Sequence, residues 1–174
     1  MGLKKGPSVV ADTVSVDDPY SEAAGAILLA ADGDFEIVAT VEVCVKQPQR
    51  TQVSIDSMAQ IALEEDVGQI AAIDEDSDLG VLMSGPVTFE VTYEILRNGD
   101  VIATINDEMD YEAPVGTTGR HTNFPNFPIV DNNPRAGINT YALKITRVFV
   151  TEPVKAVINV FVASRSLKAT VFPV

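Results

Sequence analysis

Thirteen residues, FEIVATVEVCVKQ from Phe35 to Gln47, limit the fold more than any other stretch. Phe35, Ile37, Ala39, Val41, Val43 and Val45 fall on one face of an extended chain, while Glu36, Thr40, Glu42 and Lys46 fall on the other. Period-two alternation with one charged face is the pattern of an antiparallel sheet wetted on one side. Pro48 ends the run, because proline cannot donate to a ladder. Cys44, the one cysteine, sits in this apolar run and reads as a buried, inert thiol. It has no second cysteine to pair with inside the chain, and facing outward it would be open to an intermolecular bridge.

A second element has the same period. In TFEVTYEILRNGDVIATIND, Phe89, Val91, Tyr93 and Ile95 share a face, Asn98-Gly99 tolerates positive φ, and Val101 to Ile105 return. Asn-Gly between alternating apolar runs predicts a hairpin, with Ile95 opposite Ile102 and Leu96 opposite Val101. TQVSIDSM is a weaker strand, and the stretch from Met58 to Ile73 fits either a short helix or a strand-loop-strand. GINTYALKITRVFV and AVINVFVASRSLKATVFPV close the chain, with a turn at Glu152-Pro153 and a bulge, bend or exposed point at Ser164-Arg165-Ser166. Seven or eight short strands separated by Pro, Gly and Asn predict an all-β, single antiparallel β-sandwich of jelly-roll type. The 174 residues, 46% of them hydrophobic, are enough for one such core.

Charge excludes several partners. At a formal −13 with Lys4-Lys5 the one basic doublet, the surface repels nucleic acid and anionic lipid headgroups. No window approaches the roughly 20 apolar residues of a membrane span, and the N-terminal residues lack the apolar stretch of a secretion signal, so synthesis in the cytoplasm is expected.

No catalytic constellation is legible, and no cofactor is expected. His121 is the sole histidine. Asp131 or Asp110 could orient it, but no nucleophile motif surrounds any serine, so it reads as a loop or interface residue. DEDSD places Asp74, Asp76 and Asp78 at calcium-loop spacing, yet Leu79 stands where glycine is needed and Gly85 where a glutamate is needed. A second acidic run spans Asp107, Glu108, Asp110 and Glu112. Both read as solvated carboxylates, with calcium the ligand they would take if any. Gly116-Thr117-Thr118-Gly119 lacks the lysine of a phosphate loop and reads as a turn.

The linker HTNFPNFPIVDNNP, His121 to Pro134, reads as stiff scaffolding. Phe124, Phe127 and Asn133 each precede a proline and are held extended, on a path without ladder hydrogen bonds. The two phenylalanines can point to similar sides and anchor the linker to a sheet end, or form a subunit contact. Aromatic-Pro bonds raise the chance of a cis isomer.

Several of these stretches together resemble a family. TFEVTYEILRNGDVIATIND, the linker, GINTYALKIT and INVFVASRSLKATVFPV are similar to the jelly-roll proteins of bacterial spore surfaces, those of the exosporium and of endospore appendages, whose sandwich is tumour-necrosis-factor-like. The residues matching are Phe89, Val91, Tyr93, Ile95, Arg97, Asn98 and Gly99, then Thr140, Tyr141, Leu143 and Ile145. The resemblance covers roughly residues 87 to 172. It implies a self-assembling structural subunit without catalysis, made in the mother cell and ending on a spore or cell surface. Its partners would be copies of itself, as a homopolymer or trimer, and other surface-layer proteins. Appendage subunits often carry paired N-terminal cysteines, which this chain lacks.

The resulting division is an N-terminal extension over residues 1–20 and a sandwich over 21–174. PSVVADTVSVDDP places Val10, Val14 and Val16 on one face and Val9 on the other. It is either an ordinary first strand or an extension added to a neighbour's sheet edge. Val9, Val10, Val14, Val16, Phe124 and Phe127 are the candidate interface residues. A phage or virion structural protein shares the fold expectation. A carbohydrate-binding module would need exposed aromatics, for which Tyr93, Tyr111 and Tyr141 are the candidates.

Overall fold

The computed structural model describes residues 6–66, 87–111, 119–150 and 157–173. The acidic stretch Asp74–Asp78, Gly116 to Thr118, Glu112 and the Glu152-Pro153 turn lie outside the described residues. Ten strands are present among the described residues: β1 (Ser8–Val14), β2 (Ile27–Leu29), β3 (Phe35–Val45), β4 (Thr51–Asp66), β5 (Val87–Arg97), β6 (Asp100–Tyr111), β7 (Gly119–Asn123), β8 (Asn126–Asp131), β9 (Gly137–Val150) and β10 (Val157–Pro173).

They form two antiparallel sheets. One has the order β1-β10-β4-β7, and the other β3-β9-β5-β6. β1 and β2 pair with successive stretches of β10, Arg165 to Val171 and Val160 to Val162, so they are two pieces of one interrupted strand. β7 and β8 likewise share β4, along Ile61 to Glu65 and Val53 to Met58. Counted this way there are eight strands, ordered first-eighth-third-sixth in one sheet and second-seventh-fourth-fifth in the other. That order is the jelly roll expected from the sequence.

The core lies between the sheets, where alternate residues of both meet. Phe89, Val91, Tyr93 and Ile95 face it, with Tyr141, Leu143 and Ile145 from β9 and Ile55, Ile61 and Leu63 from β4. A second, smaller cluster sits on the outer face of the six-stranded sheet. There the β1–β2 connection brings Val16 and Ala26 over Ala62, Phe161 and Ala163, with Val14, Tyr20 and Leu28 packed around them.

Several expectations are corrected by bulges. β3 shifts register between Ile37 and Ala39, and the extra residue moves the face. Val38, Ala39, Val41, Val43 and Val45 are buried, while Phe35 and Ile37 emerge on the outer face at 57% and 53% exposure. Cys44, read as buried, is exposed, because Val43 and Val45 take the inward positions on either side of it. The hairpin turns at Asn98 and Gly99, with φ of 52° and 87°, as a two-residue turn of this kind requires. Leu96 opposes Val101 as expected, but a bulge sets Ile95 against Ala103 instead of Ile102. Of the two readings of Met58 to Ile73, the helix is excluded over Met58 to Asp66, which is the second half of β4, and residues 67–73 lie outside the described residues.

The linker also differs from expectation. Its residues ladder onto β4 as β7 and β8, interrupted only at Phe124-Pro125. Pro128 is tolerated inside β8 because that strand lies at the sheet margin, and no described peptide bond is cis. Of the two readings of the N-terminal segment, residues 8–14 follow the ordinary first strand, pairing with β10 of their own chain from Ser8 opposite Val171 to Val14 opposite Arg165. The register shift at Val162/Arg165 places a bulge at the serine-arginine-serine stretch.

Candidate functional site

The buried charges come first, since a buried ion without structural work would mark a site. Arg97 Nη1 donates to both Asp131 oxygens, at 3.0 and 2.8 Å, and to the Asn133 carbonyl at 2.7 Å. The Tyr141 hydroxyl donates to Asp131 Oδ2 at 2.7 Å, and the Asn133 amide to Oδ1 at 3.0 Å. This network ties β5, β8 and β9 at the hairpin end. Burial and the hydrogen bond to Asp131 push the Tyr141 phenol above its ordinary range.

A second clamp is Arg147, 3% exposed. Its Nε donates to Asp32 at 2.8 Å, and Nη1 reaches the carbonyls of Leu29, Ala30 and Ile158 at 3.2 Å each. The third is Arg165 in the β10 bulge. Its Nε donates to the Val38 carbonyl at 3.0 Å and Nη1 to those of Gly25 and Ala163. Val38 is the extra residue of the β3 bulge, so the carbonyl freed there is satisfied by the arginine of the facing bulge. Burial lowers the Arg165 pKa, with Asp12 opposing the shift. Asp12 itself accepts from the Thr40 amide at 2.9 Å, closing the same edge of the sandwich. Each of these three cations, Arg147 buried and Arg97 and Arg165 half-buried, thus holds strands together.

Among the described residues, the candidate catalytic and metal residues are not brought together. Both carboxylates that could orient His121 are engaged elsewhere: Asp131 as above, and Asp110 with the Thr88 hydroxyl at 2.7 Å. Strand alternation divides the second acidic run. Asp107 faces inward and accepts from Asn123 Nδ2 at 2.6 Å, whereas Glu108 lies across from Glu90 on the outer face. Among the described residues no group of three His, Cys, Asp or Glu could hold a metal ion. Tyr93 and Tyr141, candidates for a sugar platform, are 1% and 0% exposed and belong to the core. The Tyr93 hydroxyl is buried with no hydrogen bond among the described residues, and burial, with Asp107 adding, raises its pKa.

Of the candidate interface residues, Val9 and Phe124 are exposed, at 56% and 57%. Val10 packs on the main core and Phe127 is part of it, whereas Val14 and Val16 belong to the smaller cluster. The phenylalanines therefore point differently.

What the sequence pattern did not reveal is the evenness of one sheet face. The rows Val9-Thr170-Ser54-Val130, Ala11-Lys168-Asp56-Pro128 and Thr13-Ser166-Met58-Asn126 cross the six-stranded sheet on its outer side. Lys168 and Asp56 are the charges in these rows, and they pair with each other at 2.7 Å. The other sheet's outer face instead presents Glu42, Glu90, Glu94, Glu108 and Asp110 against Lys144. Period-two alternation marks each of these residues as outward, but which strands lie side by side depends on pairing between distant segments.

No family model matches the chain, and no curated protein matches it. Among solved structures, a structure of infectious bursal disease virus, Gx strain, is similar at 17% identity and TM-score 0.45, covering 95% of this chain. The VP2 subviral particle of the same virus is similar at 15% identity, TM-score 0.42 and 94% coverage. Dimeric latent PorU from Porphyromonas gingivalis gives 10% identity, TM-score 0.39 and 96% coverage. The chain spans 32% of each viral chain and 13% of PorU.

Proposed function

We propose that the chain is a non-catalytic structural subunit that assembles with copies of itself, in the manner of a virion or phage shell protein. The observation that carries this is the use made of the buried and half-buried polar groups. Arg97, Asp131, Tyr141, Arg147 and Arg165 all join strands of an eight-stranded jelly roll, an architecture that viral shells use widely. The fold alone does not select a function, since lectins and cupins share it. A lectin reading is disfavoured by the burial of Tyr93 and Tyr141, a cupin reading by the absence of a metal-holding group among the described residues.

The resemblance to spore-surface proteins leads to a subunit of the same kind, placed on a spore or cell surface after synthesis in the cytoplasm. It is the second form of this proposal. Purified chain should form concentration-dependent oligomers or regular particles in negative-stain micrographs and sedimentation runs. A strictly monomeric species at millimolar concentration would overturn both forms. Genes flanking the coding sequence, for tail and capsid proteins or for sporulation, separate them.

A further inference from the structure

The geometry points to the open part of the six-stranded sheet's outer face as the contact between two copies of this chain. The inference rests on the self-assembling reading above and locates its interface. The β1–β2 connection covers the upper part of this face, where Val16 and Ala26 are buried over Phe161, and the rows from Val9 to Asn126 stay open below it.

Charge identifies the occupant. The chain carries −13, yet the described residues of these rows have no net charge, because their one cation and one anion pair with each other. A basic partner would be drawn to the opposite sheet with its five carboxylates. A second acidic copy is repelled there, and the repulsion is least where local charges cancel. Phe35, Ile37 and Ile138 are exposed on the acidic sheet too, Phe35 under Lys144 Nζ at 4.6 Å and Ile37 paired with the same lysine, but that sheet's outer face carries four carboxylates in excess of its one lysine. On the neutral face Val9 and Val130, 56% and 54% exposed, flank the patch from its two outer strands, and Met58 lies near its upper end.

Shape and size set the kind of contact. Four strands across and seven residues along give a flat patch on the order of 450 Å² per copy, smaller than the roughly 800 Å² each partner gives a standard interface. The association is therefore weak and concentration-dependent, as suits one contact of several in a larger assembly. The β1–β2 connection stands above the sheet at its upper end. Two copies related by a two-fold axis approach closely only with their strands antiparallel, each ledge lying beyond the lower end of the other's sheet.

The test is sedimentation velocity on the full chain as wild type, Lys168→Asp, Asp56→Lys and an equimolar mixture of the two variants, each checked for native circular dichroism. Wild type is expected to shift from 18.6 kDa toward twice that mass as concentration rises. Each variant alone puts two like charges on the face and should associate at least about tenfold more weakly. The mixture, acidic face against basic face, should recover wild-type association. Val130→Glu, at an exposed position, should weaken association as well and serves if either charge variant fails to fold. Variants that associate like wild type, or a mixture that does not recover, would overturn the interface and leave the assembling-subunit reading standing. A wild type that never associates would overturn both.

Discussion

At the scale of single residues, polar groups decide as much as the valines do. Tyr141 is fully buried and donates to a carboxylate that Arg97 also holds. Tyr141→Phe should cost about 1.5–3 kcal/mol, the range for a hydrogen bond to a charged group, read by urea unfolding at neutral pH. The folded-state pKa values of Tyr93 and Tyr141 lie above those of the unfolded chain. Their contribution to stability is thus complete below the unfolded value near pH 10 and declines as pH rises beyond it, because the unfolded chain then releases protons that the folded one retains. Unfolding midpoints measured between about pH 9 and 11 should fall with pH, and less steeply in Tyr141→Phe. Cys44 offers a sharper check on the register of β3. Its thiol should react with a bulky disulfide reagent in the native protein within a few-fold of its rate in denaturant, and a protected thiol would mean that β3 runs in the other phase.

At the scale of elements, hairpins and faces were legible in the sequence and bulges were not. Asn98-Gly99 carries its own signal, so the β5–β6 hairpin and its turn residues follow from local chemistry. Gly99→Val should cost about 1–2 kcal/mol, the penalty for a side chain at its φ of 87°. The bulge at Val38 has no local signature. It is joined by Arg165 to the bulge of β10, a relation between residues 127 apart in sequence. That is why strict alternation places Phe35 and Ile37 on the core face although they lie outside it. The linker departs from its sequence pattern for a similar reason: its prolines are local signals, whereas the length of β4 that pairs with it is not. Arg165→Met should leave the sandwich folded but raise amide hydrogen exchange at Thr40 and its neighbours at least about tenfold, since the edge joined by Arg165 and Asp12 would open locally.

At the scale of the whole molecule, net charge opposes assembly and salt should relieve it. Raising sodium chloride from about 0.01 to 0.5 M shortens the screening length from roughly 30 Å to a few ångström. Self-association should strengthen over that range, where a contact dominated by opposite charges would weaken. Sedimentation equilibrium across the series distinguishes the two signs. The candidate surface was the least legible part of the molecule. Each of its residues looks ordinary in sequence, and neutrality emerges only when β1, β10, β4 and β8 are laid side by side. The separation of charge between the two sheets is therefore a property of topology and not of any motif.

The position of β10 has a consequence for how such a protein is made. It lies inside its sheet, bonded to β4 along one edge and to β1 and β2 along the other, yet it is made after the other nine described strands. The first strand waits through the synthesis of some 150 residues before its neighbour exists, and chains dominated by such distant pairings fold slowly. A nascent chain cannot complete this face until β10 has left the ribosome, which delays any encounter between growing copies on one message.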